Sequence, residues 1–400
     1  MKENIFALTN EELMEIAENL QEKIELGLKR DGTEILCIPT YINPKKELEE
    51  GCVLALDWGG TYFRAAIVKI VKGKDPEIIE SNFIRLSAKE VNVLKSKVEL
   101  LGKMANLIAS LEKLNNQVTK IGYCFSYPAK CETDGDATLL YWTKEIVMPD
   151  MVGKIIGTML LNYLNNDPKI PTKFTEIKVI NDTVACLFAG LSDVGKDAYI
   201  GLIVGTGTNM AGLLHMNKVE KLHYDGPGLI PVNLESGNFN PPYLTVIDEL
   251  VDAMSNDKGK QRFEKAISGG YIGKIFKTVF SDRKIKYDFD GKNLSAIIKA
   301  TYDHPTEFVY MAHWLFDRSA KLVAASLAGL INVMLKHDET IKTICLAADG
   351  SLFWKSSDRY HQLVLDQLHK LLREDIVVTL ADEKKMSEAN LIGSAIAAVS

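Results

Sequence analysis

The sequence predicts an α/β fold of two domains, and three observations lead to this prediction. The chain has 400 residues, whereas a single domain usually has ~100–200. Strand-like apolar runs alternate with helical stretches along the chain. A glycine-rich turn between two apolar strands occurs twice, and Thr61 and Thr208 in these turns lie about one domain length apart. A duplicated α/β unit would give this pattern.

The first half of the chain begins with a helix and continues with alternating elements. Thr9 and Glu12 have the spacing of a capping box, and apolar residues then recur every three or four positions from Leu13 to Leu28. A helix at 184–191 follows the polar triplet that starts at Asn181. The other predicted elements are strands at 53–57, 63–71, 78–83, 118–125 and 176–180, and helices at 98–114 and 152–164.

The second half repeats the alternation around a long helical stretch. Residues 245–336 have mostly helical periodicity. The other predicted elements are strands at 199–204, 210–215, 341–347 and 376–380, and helices at 359–372 and 387–399.

Composition and charge exclude several classes of protein. Hydrophobic residues make up 46% and charged residues 25% of the chain, and the net charge is −6, so there is no basic surface for nucleic acid or anionic lipid. The longest apolar run, at 322–335, is shorter than the ~20 residues that span a bilayer. No basic, then apolar, secretory signal is visible, and the cysteines form no CxxC pair. We therefore expect a cytoplasmic protein with reduced thiols and no membrane segment.

The first glycine turn has the residues of a phosphate-binding loop. Asp57 ends an apolar strand, and Gly59, Gly60 and Thr61 lead into the next strand. Glycines let backbone N–H groups approach a phosphate closely, and threonine adds a hydroxyl donor. Asp57 could lie near the metal ion of a nucleotide. A plain β-hairpin with a Gly-Gly turn explains the same residues equally well.

The second glycine turn offers the same backbone N–H and hydroxyl donors for a phosphate, and a plain tight turn would also explain it. Its residues are Gly205-Thr206-Gly207-Thr208. Two such turns in one chain favour a pair of loops that hold one polyphosphate from two sides.

Asp182 is the candidate general base. It lies between Asn181 and Thr183, where the strand at 176–180 ends and a helix begins. A carboxylate beside phosphate loops can accept a proton from an attacking hydroxyl. All three residues are also suitable helix N-caps, which by itself would account for Asp182.

Several scattered polar residues together offer the donors and acceptors that a hydroxyl-rich sugar requires. Taken singly, each fits a turn or a solvated helix face better. These segments are Ser126-Tyr127-Pro128, Trp142-Thr143-Lys144, Glu235-Ser236-Gly237 and Gln261-Arg262-Phe263-Glu264.

The chain resembles the eukaryotic-type hexokinases, within the actin-like (ribonuclease H-like) superfold of sugar kinases. The resemblance extends over the whole chain, and the order and spacing of its motifs make chance agreement very improbable. The motifs are IPTY (38–41), DWGGTYFR (57–64), FSYPA (125–129), WTKEI (142–146), NDTVACL (181–187), GLIVGTGTNMAG (201–212), LESGNF (234–239), GKQRFEKAISGGYIGKIF (259–276) and AADGSLF (347–353).

The resemblance implies a role for each matching residue. Asp182 would be the general base, with Lys144 assisting nearby, and the two phosphate loops and one further turn would bind ATP. Mg²⁺ would be carried mainly by the ATP phosphates, with Asp57 and Asp182 close by, so no closed protein metal site is expected. The hexose would be bound by Ser126, Thr143, Lys144, Asn181, Asp182, Asn209, Glu235, Gln261 and Glu264. The nucleotide would be bound by Asp57, Gly59, Gly60, Thr61, Arg64, Gly205, Thr206, Gly207, Thr208, Asp349, Gly350 and Ser351.

The chain also departs from the family pattern at the nucleotide side. Tyr62 stands where the family usually has Asn, and the segment at 385–390, KMSEAN, replaces a glycine-rich run before the last helix. These departures are the only sequence support for an alternative function, that of a hexose-binding regulatory sensor with little or no catalysis. An actin-like or chaperone-like ATPase would need the phosphate turns but not the hexose residues.

The resemblance implies two unequal α/β domains around a cleft. The small domain would comprise 50–180 and 386–400, and the large domain 1–49 and 181–385. The predicted activity is ATP-dependent phosphorylation of the 6-hydroxyl of glucose and related hexoses, the first step of glycolysis, with domain closure that excludes water. The oligomeric state and the range of hexoses, with mannose and fructose as candidates beside glucose, are left open.

Overall fold

The computed structural model describes residues 4–44, 48–283, 289–299, 303–357 and 359–400. The strands are β1 (Ile38–Pro39), β2 (Gly51–Trp58), β3 (Tyr62–Ile70), β4 (Glu77–Arg85), β5 (Lys120–Phe125), β6 (Ala129–Cys131), β7 (Ala137–Leu139), β8 (Glu176–Ile180), β9 (Ala198–Val204), β10 (Thr208–His215), β11 (Leu229–Asn233), β12 (Thr343–Asp349) and β13 (Val377–Leu380). The helices are α1 (Asn10–Lys29), α2 (Ala88–Val91), α3 (Lys97–Ala109), α4 (Ile156–Asn166), α5 (Asp182–Gly190), α6 (Val246–Ala253), α7 (Arg262–Ile267), α8 (Ile272–Val279), α9 (Gly291–Lys299), α10 (Thr306–His337), α11 (Ser351–Lys355), α12 (Tyr360–Leu371), α13 (Glu383–Met386) and α14 (Ala389–Ala398).

These elements confirm the predicted α/β alternation, and the differences have local causes. The capping box is present, because the Thr9 hydroxyl accepts from the backbone of Glu12 and the Glu12 carboxylate accepts from the backbone of Thr9. Helix α3 ends at Ala109, five residues before the predicted end. There Ser110 Oγ donates to the carbonyl of Leu107 at 2.7 Å, and such a side-chain bond competes with continuation of a helix.

The chain forms two compact units. The larger unit comprises Met1–Cys37, Gly195–Pro227 and Asn233–Glu383. The smaller unit comprises Ile38–Val194, Gly228–Val232 and Lys384–Ser400. The domain boundaries predicted from the sequence remain a prediction.

The smaller unit contains a five-stranded sheet in the order β4-β3-β2-β5-β8. β2 and β3 form an antiparallel hairpin, and β5 and β8 run parallel to β2. Because side chains alternate along a strand, β2 supplies both faces of the sheet. Leu54, Leu56 and Trp58 belong to a core on one face, whereas Val53 and Ala55 belong to a second core on the other.

Helix α14 covers the second face and packs against α5. Two glycines allow a close approach at these contacts. A Cβ on Gly122 of β5 would overlap the carbonyl oxygen of Ser394, and a Cβ on Gly393 would overlap that of Ala185. Backbone therefore lies directly against backbone, so a residue larger than glycine cannot be accommodated at either position without displacing the helix.

The larger unit contains the strands β10-β9-β12-β13 in that order. β9 and β10 are antiparallel, and β12 is parallel to both β9 and β13. Each unit thus has a glycine-turn hairpin whose first strand pairs in parallel with a later strand. This shared topology agrees with the internal repeat seen in the sequence.

Helix α10 is long and apolar enough to cross a membrane, judged by its length and composition alone. In the structure, 78% of its most apolar stretch is buried. The helix packs against α1 and α12 of the same unit. This burial is typical of a central helix in a globular core.

Candidate functional site

In the smaller unit, Asp57 and Arg64 form a pair that follows from the register of the hairpin. The two residues are directly opposite each other on β2 and β3. Arg64 Nε and Nη2 each lie 2.8 Å from Asp57 Oδ2, and Asn390 Nδ2 donates to Asp57 Oδ1 at 3.1 Å. Burial raises the pKa of the Asp57 carboxyl, and the Arg64 guanidinium opposes this increase. Both carboxylate oxygens of Asp57 are therefore held by donors.

The first glycine turn lies against Lys144. Gly60 has a φ of 138°, and a Cβ at this position would lie 2.9 Å from Cδ of Lys144, so the turn requires glycine. Lys144 Nζ donates to the carbonyls of Gly59 and Ser126, the latter at 3.0 Å. It also lies 5.0 Å from the centre of the Tyr127 ring. Lys144 thus links this turn to the end of β5.

An aromatic cluster supports this region. Trp58, Phe125, Tyr127 and Trp142 contact one another with ring centroids 5.0–6.2 Å apart, and Trp142 immediately precedes Thr143. Thr61 and Tyr62 are exposed at the tip of the turn. Tyr127 and Trp142 of the cluster are adjacent in sequence to Ser126 and Thr143, so their packing helps to position these two residues.

Asp182 is the first residue of α5, and its neighbour Asn181 is the N-cap. Asn181 Oδ1 accepts from the backbone N–H of Val184 at 2.9 Å, so the capping role expected for this triplet belongs to Asn181. Asp182 Oδ1 accepts from Asn181 Nδ2 at 3.1 Å and from the backbone N–H of Thr183 at 2.8 Å. Oδ2 of Asp182 receives no hydrogen bond from the residues that the structure describes. Its charge acts on Asp57, whose pKa it raises. Asp182 thus has one oriented oxygen and one oxygen that can accept a proton.

In the larger unit, Glu235 is held by two amides. Its Oε1 accepts from Asn233 Nδ2 at 2.7 Å and from Asn209 Nδ2 at 3.4 Å. Asn209 Oδ1 accepts from the backbone N–H of Ser236 at 3.1 Å, which ties the strand to the turn after β11. Glu235 has a φ of 55°, a left-handed conformation that costs energy for a non-glycine residue. Two side-chain amides therefore orient this carboxylate.

Glu264 and Gln261 lie at the start of α7. Glu264 Oε2 accepts from the backbone N–H of Thr208 in the second glycine turn at 3.0 Å. Burial raises the pKa of the Glu264 carboxyl, and the nearby Glu235 carboxylate adds to the increase. Gln261, with a φ of 51°, donates to Asn238 Oδ1 at 2.9 Å. Predicted hexose residues and the predicted second phosphate loop thus contact each other within this unit.

The second glycine turn also contacts the turn after β12. A Cβ on Gly205 would lie 3.4 Å from Cα of Gly350 and 3.5 Å from the backbone N of Ser351. A cavity of about 620 Å³ begins beside these turns, which is a size typical of nucleotide and drug-sized ligands. Its lining includes Thr206, Gly269, Gly270, Asp290, Gly291, Lys292, Ser295, Ala296, Lys299, Ser351, Leu352, Lys355 and Ser356.

No group of three or more His, Cys, Asp and Glu side chains that could hold a metal ion occurs in the described parts of the chain. The donors that occupy both oxygens of Asp57 are compatible with a metal ion reached through water and carried by a ligand.

Comparison with known families identifies the chain. A hexokinase family model matches residues 2–191, and a second hexokinase family model matches residues 199–314 and 293–400. The chain belongs to the hexokinase family. Hexokinase-1 of Spinacia oleracea is similar to it, with 28% identity over 97% of this chain and 87% of the spinach protein.

Solved structures of hexokinases and ROK sugar kinases share the fold. The hexokinase from Schistosoma mansoni, solved in complex with glucose, superposes with a TM-score of 0.78 at 24% identity, over 99% of this chain and 96% of that one. A ROK family glucokinase from Streptomyces griseus, solved with glucose and AMPPNP, gives a TM-score of 0.52 at 18% identity, over 86% and 98% of the two chains. The predicted α/β fold of the actin-like superfold is thereby confirmed.

The structure adds residues that sequence reasoning missed. Asn233 and Asn238 hold Glu235 and Gln261, and Glu388 and Asn390 contact Arg64 and Asp57. Of these four residues, only Glu388 and Asn390 could have been noticed in the sequence, because they lie in the segment at 385–390 that departs from the hexokinase pattern. The assignment of site residues from the family resemblance stays a prediction.

Proposed function

We propose that this member of the hexokinase family transfers a phosphoryl group from ATP to the 6-hydroxyl of glucose and related hexoses. The observation that carries the proposal is the oriented carboxylate pair of the larger unit: Glu235 accepts from the amides of Asn209 and Asn233, and Glu264 accepts from the backbone N–H of Thr208. The family to which the chain belongs and the glucose in the Schistosoma mansoni structure support a hexose as the ligand.

The proposed hexose site uses charge-assisted hydrogen bonds. An ionised carboxylate that accepts from a sugar hydroxyl makes a stronger bond than a neutral acceptor does. Glu235 and Glu264 would accept from hydroxyls, and the side chains of Asn209 and Gln261 would add amide groups. Ser126, Thr143, Lys144 and Asn181 complete the proposed set. A sugar analogue that lacks a paired hydroxyl leaves a buried carboxylate without its partner and is therefore rejected.

In the proposed mechanism, Asp182 accepts the proton of the 6-hydroxyl as its oxygen attacks the γ-phosphorus. The bond from the γ-phosphorus to the bridging oxygen of ADP breaks, and the proton leaves with Asp182. The uncommitted Oδ2 supports this role, since Oδ1 is already held by Asn181 and Thr183. Positioning and charge neutralisation provide most of the catalysis in phosphoryl transfer. Lys144 assists by fixing the first glycine turn.

ATP is the proposed donor, and the two glycine turns are its proposed phosphate loops. Thr206 of the second glycine turn lines the cavity, whose charged lining residues are Lys292, Lys299, Lys355 and Asp290. The AMPPNP in the Streptomyces griseus structure supports a nucleoside triphosphate. Mg²⁺, when bound with ATP, neutralises phosphate charge, and Asp57 and Asp182 are the residues proposed to lie near it. Closure of the two predicted domains during turnover would exclude water, which otherwise competes with the sugar hydroxyl as acceptor.

A coupled assay of ADP release with Mg-ATP and a hexose panel tests the proposal. The panel comprises glucose, mannose, fructose, glucosamine and N-acetylglucosamine. We expect ADP release that depends on glucose and a product that carries phosphate on the 6-hydroxyl, checked by phosphorus NMR. Glucose binding without turnover would instead indicate a hexose sensor, and ATP hydrolysis that is independent of sugar would indicate an actin-like ATPase.

A further inference from the structure

The last segment of the chain reaches the first phosphate loop. Arg64 Nη1 lies 3.0 Å from Oε2 of Glu388, whereas Nε and Nη2 of the same guanidinium contact Asp57. Asn390 Nδ2 donates to the second oxygen of Asp57 at 3.1 Å. Two residues on either side of the start of α14 thus hold both members of the Asp57–Arg64 pair.

The side chains of Glu388 and Asn390 contact the Asp57–Arg64 pair and do not cap helix α14. Glu388 is the N-cap of α14, but its side chain makes no capping hydrogen bond; it contacts Arg64 instead. Asn390 Oδ1 is buried with no hydrogen-bond partner from the described residues. A buried unpaired acceptor is costly, so the orientation of this amide is set by its bond to Asp57. Both contacts join the start of α14 to the β2–β3 hairpin.

We propose that Glu388 and Asn390 are positioning residues that fix Asp57 and Arg64 for binding of the metal–nucleotide complex. This inference rests on the proposed function. A carboxylate near a bound cation works best when its own hydrogen bonds fix it, and loss of such an outer partner weakens binding or activity. Asn390 fixes Oδ1 of Asp57, and Glu388 keeps the guanidinium of Arg64 against Oδ2. The segment that departs from the hexokinase pattern thus replaces glycines with side chains that support the site.

The test measures nucleotide affinity and steady-state kinetics of the full chain. Asn390→Ala should weaken binding of Mg-AMPPNP about tenfold in calorimetry and raise KM for Mg-ATP by a similar factor. KM for glucose should change much less, because the Asn390 amide donates to Asp57 and not to a proposed hexose residue. Asn390→Asp keeps the size but places a second carboxylate against Asp57, so it should weaken nucleotide binding at least as much. Glu388→Ala should have a smaller effect in the same direction, and Glu388→Gln should restore most of it by keeping an acceptor for Arg64.

A matched control is Ser387→Ala, which removes a hydroxyl that donates to the carbonyl of Lys384 in the same segment and should leave both affinities unchanged. A double-mutant cycle separates positioning from mere stability. In an Asp57→Asn background, Asn390→Ala should have little further effect on nucleotide affinity. Thermal unfolding of every variant identifies any that fails to fold, in which case Glu388→Ala and Glu388→Gln decide the question.

Different outcomes separate the two proposals. If the unchanged chain shows no hexose-dependent turnover, the proposed function fails, and calorimetry with Mg-AMPPNP still decides the positioning role. If the unchanged chain is active but Asn390→Ala and Glu388→Ala bind Mg-AMPPNP as it does, the positioning role is overturned and the proposed function stands. Tighter nucleotide binding by Glu388→Ala would also overturn the positioning role, and failure of the unchanged chain to bind Mg-AMPPNP would overturn both.

Discussion

The carboxylates of the two units are held in chemically different ways. In the smaller unit, Asp57 forms an ion pair with the guanidinium of Arg64, which also contacts Glu388. In the larger unit, Glu235 accepts from two side-chain amides and Glu264 from a backbone N–H. These amide and backbone N–H donors fix the geometry of the two glutamates.

This difference matches two kinds of ligand. A carboxylate that keeps its charge binds neutral hydroxyls strongly. A carboxylate close to phosphates would repel them unless a cation compensates it. Glu235 and Glu264, which accept from amide and backbone N–H donors, form the neutral-donor set, which suits a sugar. Asp57 and Arg64 form the ion-paired set, which suits a phosphate loop. Asp182 belongs to neither kind, because one of its oxygens is held by neutral donors and the other has no described partner.

The largest expected effect comes from replacing the Asp182 carboxylate, whose Oδ2 accepts no hydrogen bond from the described residues. Asp182→Asn keeps the shape of the side chain but cannot accept the hydroxyl proton, so kcat should fall by about 10²–10⁴. The Asp182→Asn variant should still bind glucose, as detected by calorimetry. Asp167→Asn, at a carboxylate that accepts from the backbone N–H of Lys169, is the matched control and should keep full activity. Near-normal kcat in Asp182→Asn would show that the base is another group.

A smaller effect is expected at the neutral-donor set. Glu235→Gln preserves an acceptor for Asn233 and Asn209 but removes the charge, so KM for glucose should rise about 10–100-fold. Affinity for Mg-AMPPNP should not change. Glu220→Gln, at a surface carboxylate 3.8 Å from Lys29, controls for a change of charge alone. An equal loss of sugar and nucleotide affinity in Glu235→Gln would contradict the distinction between the two sets.

The smallest expected effect concerns stability. Burial raises the pKa of Glu264, so the folded chain holds this proton more tightly than the unfolded chain does. Stability therefore falls as the pH rises through the raised pKa, because folding must then bury the ionised form. Glu264→Gln removes this cost and should raise the free energy of unfolding by about 0.5–2 kcal/mol at neutral pH while weakening sugar binding.

Thermal unfolding of the unchanged chain and Glu264→Gln between pH 4 and pH 8 checks this prediction. The gain in Tm should grow as the pH rises and disappear at the acidic end. A gain that is constant over this range would mean that ionisation of Glu264 is not its cause.

Local patterns in the sequence predicted the elements that depend on local physics. The β2–β3 and β9–β10 hairpins were predictable because apolar alternation and paired glycines act over few residues. Asn181-Asp182-Thr183 was correctly placed at the start of a helix, but the pattern could not tell which of the three residues caps it. The backbone geometry decides this, and it selects Asn181.

The remaining contacts depend on residues far apart in the chain. Asn390 and Asp57 are separated by 333 positions, and no local periodicity brings them together. Asn233 ends the apolar strand β11, where a single amide gives no pattern that distinguishes a ligand of Glu235 from an ordinary strand end. Family resemblance could not supply Glu388 and Asn390 either, because the chain departs from the hexokinase pattern at both positions.

The close packing of α14 on β5 and α5 has a consequence for the synthesis of the protein. The apolar face formed by Val53, Ala55 and Val68 of the sheet is translated long before helix α14, which covers it. A nascent chain on the ribosome therefore carries this face uncovered until residues 389–398 have emerged. Until then, the uncovered sheet is an apolar surface that chaperones can bind.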